Sequence, residues 1–238
     1  MTPYLHDAAV HHLGDPERIV PVLTSMLPFQ SVVDFGCGIG TFLSVFRAAG
    51  TQDALGLDGN WVDREALQCY LPLANFSVQD LTQPVHLAQI YDLAICLEVA
   101  EHLPPSSSEV LVDSLSRASD RIVFSAAIPG QGGQNHLNEQ WPNYWQEKFA
   151  ARGFVAYDIV RPHIWDNPEI SWWYRQNVVV YVRRGVAVPG CQPTSSILSQ
   201  IHPELYQLRQ AELEKIASGR MGRRRYLRWF FHSLLRRK

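Results

Sequence analysis

Two carboxylates and an imidazole fall within five residues where the stretch YDLAICLEVAEHLPP leaves its apolar run: Glu98, Glu101 and His102. Positions i, i+3 and i+4 share one face of a helical turn, so the three side chains can converge. Oxygen and nitrogen donors of this kind hold Mg²⁺, Mn²⁺ or Zn²⁺, and the same groups can move a proton. A fourth donor, His136, follows the glycines at 130, 132 and 133 in IPGQGGQNHLNEQWPNYW, a glycine-rich loop that delivers it to the same rim. The metal candidates are therefore Glu98, Glu101, His102 and His136, and the proton-transfer candidates are His136, His102 and Glu101. The competing structural role is local: the two glutamates cap backbone and His102 packs at a pocket wall.

A second set of polar residues lies earlier. In VVDFGCGIGTF, Asp34 ends an apolar run and Gly36, Gly38 and Gly40 follow it into a helical segment. Glycines there let the backbone turn sharply and approach a ligand without a Cβ in the way. The spacing is G-x-G-x-G, not the G-x-G-x-x-G of dinucleotide sites. Asp34 would repel a pyrophosphate, but it suits the ammonium of an amino-acid moiety. Asp58, 18 residues past Gly40, ends the next apolar run and is placed to accept hydrogen bonds from a ribose diol. Asp80 ends a third, where a carboxylate can accept from an adenine amino group. Trp61, just past Asp58, either shields that adenine or packs in the core.

These residues need a frame that presents strand ends side by side. Strands are expected at 31–35, 53–59, 75–80, 91–97, 121–127, 154–160 and 177–184, with helices at 41–49, 61–70, 106–119 and 141–152. Ser106 and Glu109 fit a capping box, and Pro142 suits a first helical turn. Trp141, Trp145 and Phe149 repeat at helical spacing before Gly153, with Trp145 read as core. Alternating strands and helices imply a doubly wound α/β sheet of seven strands, mainly parallel, with helices on both faces. Between the last two strands lies RPHIWDNPEISWWYRQ, which is Trp-rich and irregular and fits an antiparallel final pair. There Trp165, Trp172, Trp173 and Tyr174 either pack on the sheet or form a substrate lid.

With acids at three successive strand ends, the Asp34–glycine loop, Asp58 and Asp80 resemble the first three motifs of class I S-adenosylmethionine-dependent methyltransferases. The resemblance covers roughly residues 30–184. It implies a Rossmann-like methyltransferase domain over 1–184, followed by a linker at 185–202 and a basic helical tail at 203–238. It further implies S-adenosylmethionine binding through Asp34, Gly36, Gly38, Gly40, Asp58, Asp80 and Glu98, the last facing the substrate side of the cofactor. The E-x-x-E-H turn plus His136 is similar to the metal-binding pattern of small-RNA 3′-end 2′-O-methyltransferases, and the turn also to that of ubiquinone-pathway O-methyltransferases. The run H-x-N-E-Q-W-P resembles bacterial methyltransferases of surface glycans and secondary metabolites, so a sugar or small-molecule hydroxyl is the expected acceptor. An RNA 2′-hydroxyl, a nucleotide-binding oxidoreductase or sugar-nucleotide enzyme, and a non-catalytic scaffold are the alternatives. An oxidoreductase would call for a proton-transfer pair such as Tyr-x-x-x-Lys, and none follows a strand.

Composition limits the partners. The 238 residues are 46% hydrophobic and 18% charged, which suits a globular enzyme and argues against bulk disorder. Cys37, Cys69, Cys96 and Cys191 lack paired metal spacing and read as reduced thiols of a cytoplasmic protein. No secretory signal or membrane span is legible. The net charge of −2 is uneven: seven arginines and one lysine, with no acid, lie from Arg220 onward, and the rest of the chain carries about −10. So acidic a body makes a nucleic-acid partner unexpected. The basic, aromatic-rich end at 220–238 fits peripheral contact with an anionic membrane, or docking on the acidic body or a second subunit.

Overall fold

The computed structural model describes residues 12–220, together with 222, 224, 226–228 and 231, and divides into two units, 1–200 and 201–238. In the first unit seven strands form one sheet: β1 (Ser31–Phe35), β2 (Asp53–Asp58), β3 (Phe76–Val78), β4 (Leu93–Leu97), β5 (Arg121–Ser125), β6 (Phe154–Tyr157) and β7 (Val179–Arg183), in the order β3-β2-β1-β4-β5-β7-β6. The first five are parallel, and β7 runs antiparallel to both β5 and β6. The strand order reverses between β1 and β4. The loops leaving their carboxyl ends therefore splay apart and open a crevice.

Alternate strand residues face opposite sides. Val32, Ile95, Val123 and Val180 pack against Ile19, Val20 and Leu23 of helix α1 (Gly14–Met26), and against Leu43 and Phe46 of α2 (Thr41–Ala48). Val33, Cys96, Ile122 and Phe124 face α4 (Ser108–Ala118) and α5 (Pro142–Ala151), through Leu111, Val112, Leu115, Trp145 and Phe149. The stripe in α5 thus buries Trp145 and Phe149, whereas Trp141 caps the helix and stays partly exposed.

Several local expectations change. Helix α1 was not anticipated from the sequence. The helix expected at 61–70 shortens to α3 (Arg64–Gln68), because Asp63 caps it, accepting from the N–H groups of Glu65 and Ala66 at 2.9 and 3.1 Å. The Ser106–Glu109 capping box does not form. Pro104 and Pro105 impose a 3₁₀ turn first, and Glu109 pairs instead with Lys148 and Arg152 of α5. Between β6 and β7 the chain makes two short helices, α6 (Arg161–Ile164) and α7 (Trp172–Asn177). Arg161, buried, organises them by pairing with Asp158 and donating to the carbonyls of Gln176 and Leu198. Trp165, Trp172 and Trp173 are half-buried there.

Residues 185–200, expected as linker, lie within the first unit: Thr194 donates its N–H to Ala156 of β6 at 2.7 Å, and Val188 and Ile197 are buried. The second unit contains α8 (Pro203–Ala217). Met221, Arg223, Arg225, Trp229, Phe230 and 232–238 of the expected tail lie outside the described residues.

Phe149 is the hinge of the second face. Its ring stacks on Tyr181 at 4.1 Å and meets Phe124 edge-on at 5.4 Å. Phe149→Ala should lower unfolding free energy by about 3–5 kcal/mol, measured by urea denaturation.

Candidate functional site

The glycine loop leaves β1 with three left-handed residues: Gly36 (φ 89°), Gly38 (φ 53°) and Gly40 (φ 84°). A Cβ on Gly36 would come within 2.4 Å of Val99, so neither the backbone angle nor the space admits another residue. Gly56 of β2, not singled out from sequence, serves the same loop: a Cβ there would meet the Cys37 sulfur at 2.6 Å. Asp58 ties strand to loop. One of its oxygens accepts from Gly38 N–H at 2.8 Å and the other from Gly59 N–H at 2.6 Å. Each carboxylate oxygen has two lone pairs, so the side chain retains acceptor capacity for a diol.

Asp34 is buried at the end of β1. Burial pushes its carboxyl well above the ordinary range, and the neighbouring Asp58 charge adds to this. It lines a small cavity of about 40 Å³ with Gly36, Cys37, Thr41 and Leu97, walled by His12, Asp15, Pro16, Phe42 and Tyr174. Tyr174 reaches this wall by packing edge-on against Phe42, at 5.6 Å. Asp15 holds the wall in place, accepting from the N–H and hydroxyl of Ser171 at 2.6 and 2.7 Å. Trp61 is half exposed and lies across Gly59 beside Asp58, so it is not a core residue. Asp80 sits two residues beyond β3, exposed, with one oxygen accepting from the N–H and hydroxyl of Thr82.

The exit of β4 gives the two glutamates different partners. Glu98 has left-handed backbone (φ 54°), and its N–H is shared by the hydroxyl and carbonyl of Ser125. Its carboxylate accepts from Gln131 at 3.0 Å and Asn177 at 3.1 Å, two buried amides that sequence reasoning missed. Glu101, in a 3₁₀ turn (Ala100–His102), is 1% exposed, and its Oε2 is buried without a hydrogen-bond partner. Burial raises both carboxyls, Glu101 the further because the Glu98 charge faces it.

The loop after β5 carries His136 to this turn. The N–H groups of Leu137 and Asn138 donate to the carbonyl of Glu101 at 2.7 and 3.0 Å, and Asn138 is anchored to Ser108. The His102 and His136 rings then meet edge-on at 4.9 Å. Glu101, His102 and His136 can each place one donor atom within 4.8 Å of the others, and Glu98 is outside that set. The His136 ring occupies the space a Cβ on Gly133 would fill, its Nε2 2.2 Å from that position. Its Nδ1 lies 2.9 Å from Glu139, whose oxygens also accept from Gly130 and Gly132 N–H at 2.8 and 2.6 Å. Burial pushes the Glu139 carboxyl up, but these hydrogen bonds outweigh it and hold the group below its ordinary value. Glu139 was not anticipated, although an acid three residues after His136 was a legible signal. A cavity of about 470 Å³ opens here, lined by Gly132, Gly133, Asn135, His136, Leu137 and Glu139.

An acid whose folded pKa is raised binds more protons folded than unfolded, so stability falls as pH rises through the window above about 4. Asp34→Asn should therefore raise the melting temperature at neutral pH. The difference from the unsubstituted protein should vanish in acid, where both forms of residue 34 are neutral, as followed by calorimetric melts against pH.

Residues 9–167 match the model of a methyltransferase domain family. No curated protein matches the sequence. Among solved structures, magnesium protoporphyrin IX methyltransferase (ChlM) from Synechocystis PCC 6803 with bound SAH is 22% identical, with a TM-score of 0.53 over 77% of this chain and 90% of that one. Streptomyces venezuelae DesVI is 13% identical, with a TM-score of 0.56 over 76% and 100%. A TehB-like SAM-dependent methyltransferase from Corynebacterium glutamicum is 19% identical, with a TM-score of 0.52 over 74% and 92%. At such identities the likeness is one of fold: the seven-stranded Rossmann-like sheet with its antiparallel end. Family match and fold agree, and the chain belongs to the methyltransferase domain family.

Proposed function

We propose that this protein moves a methyl group from S-adenosylmethionine to a hydroxyl of a sugar or small molecule, with His136 as general base. The observation that carries the choice of base is the contact of His136 Nδ1 with Glu139 at 2.9 Å, on the rim of the larger cavity. A carboxylate acceptor selects the tautomer with the proton on Nδ1 and leaves Nε2 basic.

The cofactor supplies a methyl group activated by its sulfonium charge. The chain's own residues would do the rest. Asp34 accepts from the cofactor's ammonium, whose charge compensates the cost of burying this carboxylate. Asp58 accepts from the ribose hydroxyls and Asp80 from the adenine amino group, while Gly36, Gly38 and Gly40 keep the backbone close. His136 Nε2 takes the proton of the acceptor hydroxyl, and Glu139 stabilises the imidazolium that forms, a contribution of about 10²–10⁴-fold. Glu98, locked by Gln131 and Asn177, braces Glu101 and does not itself reach the acceptor. Gly133 gives His136 the room to stand where it does.

The unpartnered Oε2 of Glu101 supports a second reading. Glu101, His102 and His136 form a three-donor set of a kind that holds a divalent cation, which would supply Lewis acidity at the acceptor oxygen. The two readings part on chelation. With His136 as base, EDTA leaves turnover intact. His136→Ala and Glu139→Gln then lower it about 10²-fold or more and flatten the acid limb of the pH profile. Abolition by EDTA, with restoration by Mn²⁺ or Mg²⁺ and failure of Glu101→Gln, supports the cation instead.

The methyltransferase reading is tested first by calorimetry. S-adenosylmethionine should bind, and Asp58→Ala should weaken it by about 1.5–3 kcal/mol. Tight NAD binding with no S-adenosylmethionine binding would overturn it. Untargeted mass spectrometry of cell extract incubated with cofactor and enzyme then identifies the acceptor, as the species one methylene heavier.

A further inference from the structure

The second unit carries a feature that methyl transfer leaves unused. Eight cations and no acid lie in the 19 residues from Arg220 to Lys238, and the same stretch holds Tyr226, Leu227, Trp229, Phe230, Phe231, Leu234 and Leu235. Of its described residues, Arg224, Tyr226, Leu227, Arg228 and Phe231 are helical, and Arg220 and Gly222 are not. Arg224, Leu227, Arg228 and Phe231 fall at i, i+3, i+4 and i+7, which is one helix face. All four are exposed, Leu227 by 55% and Phe231 by 60%. Tyr226 secures the stretch by donating its hydroxyl to the α8 carbonyls of Ile216 at 2.5 Å and Lys215 at 3.2 Å. Among the described residues no helix is long and apolar enough to cross a membrane.

We propose that this basic, aromatic segment is a docking surface for an anionic lipid bilayer, on which it lies in the headgroup plane. Charge complementarity supplies the attraction, because arginine heads meet anionic headgroups while their aliphatic stems lie along the apolar boundary. Leucine and aromatic side chains interleaved with the arginines add burial that a phosphate polymer in water could not provide. That is the ground for preferring a bilayer over a nucleic acid. The attraction operates within about 8–10 Å at physiological salt, so it is local to the segment and survives the acidity elsewhere.

The test uses the full-length protein, sedimented in about 0.1 M salt with vesicles of phosphatidylcholine alone or with about 30% phosphatidylglycerol. Pelleting should be confined to the anionic vesicles. Arg224→Gln with Arg228→Gln should lower partitioning about tenfold or more. Leu227→Ser with Phe231→Ser should also lower it, while leaving retention on heparin, a purely ionic probe, unchanged. Because all four side chains are exposed, both double variants should keep the circular dichroism spectrum of the unsubstituted protein. Equal pelleting with the two vesicle types, or none with either, overturns the proposal. Loss in the arginine pair with none in the Leu227–Phe231 pair overturns it too, and identifies polyanion contact in its place.

Discussion

The carboxylate of Asp58 joins two parts of the chain that would otherwise diverge. By accepting N–H groups from Gly38 and Gly59, it binds the loop leaving β1 to the end of β2. That loop can take the required path only because its glycines adopt positive φ and present no Cβ to Val99 or Leu71. The constraint is electrostatic as well as steric. Asp58 and Asp34 are buried close enough to raise the cost of ionising Asp34. An unliganded protein that keeps such a pair at the strand ends gives up stability there, and a cationic ligand would recover it. The parallel sheet is what makes the arrangement possible, since it delivers the ends of β1, β2 and β4 to one edge.

A parallel logic governs the other side of the crevice. Polar groups at the β4 exit are held from other elements, whereas His136 and Glu139 brace one another within a single loop. Glu98 at the β4 exit is fixed by an amide from the loop after β5 and another from the end of α7. His136 is oriented by Glu139, which is itself pinned by two glycine N–H groups. The loop bearing both is fastened to the Glu101 carbonyl, which ties the β5 loop to the β4 turn. Such cross-bracing holds the side chains in place without reorganisation. Glu101 is buried beside Glu98, and its Oε2 is among the few buried side-chain atoms of the described residues with no hydrogen-bond partner.

The chain's charge is also divided by function. The chain before Arg220 carries a net charge of about −10, and the last 19 residues carry eight cations and no acid alongside aromatic side chains.

Much of this was legible in the sequence because it is local. Alternation of apolar strands with helices gave the doubly wound sheet, and Asp34, the three glycines and Asp58 stand at strand ends because hydrophobic runs stop there. Pro142 and Gly153 bracket α5 by backbone chemistry that needs no tertiary context. Tertiary structure decided what depends on partners distant in the chain. Glu98 and Glu101 have the same residue type and helical spacing, yet one is taken up by Gln131 and Asn177 and the other faces His102 and His136. Glu98 has a positive φ and amide partners from two distant segments, and spacing alone cannot show either. The Ser106–Glu109 cap is absent because Pro104 and Pro105 impose a 3₁₀ turn ahead of α4, and Glu109 meets two cations of α5 that no local pattern announces. Glu139 acquired its role only when the loop folded back on the Glu101 carbonyl and brought two glycine N–H groups within reach. Local pattern sets which elements form, and long-range hydrogen bonds between loops choose which of several equivalent side chains enters the site.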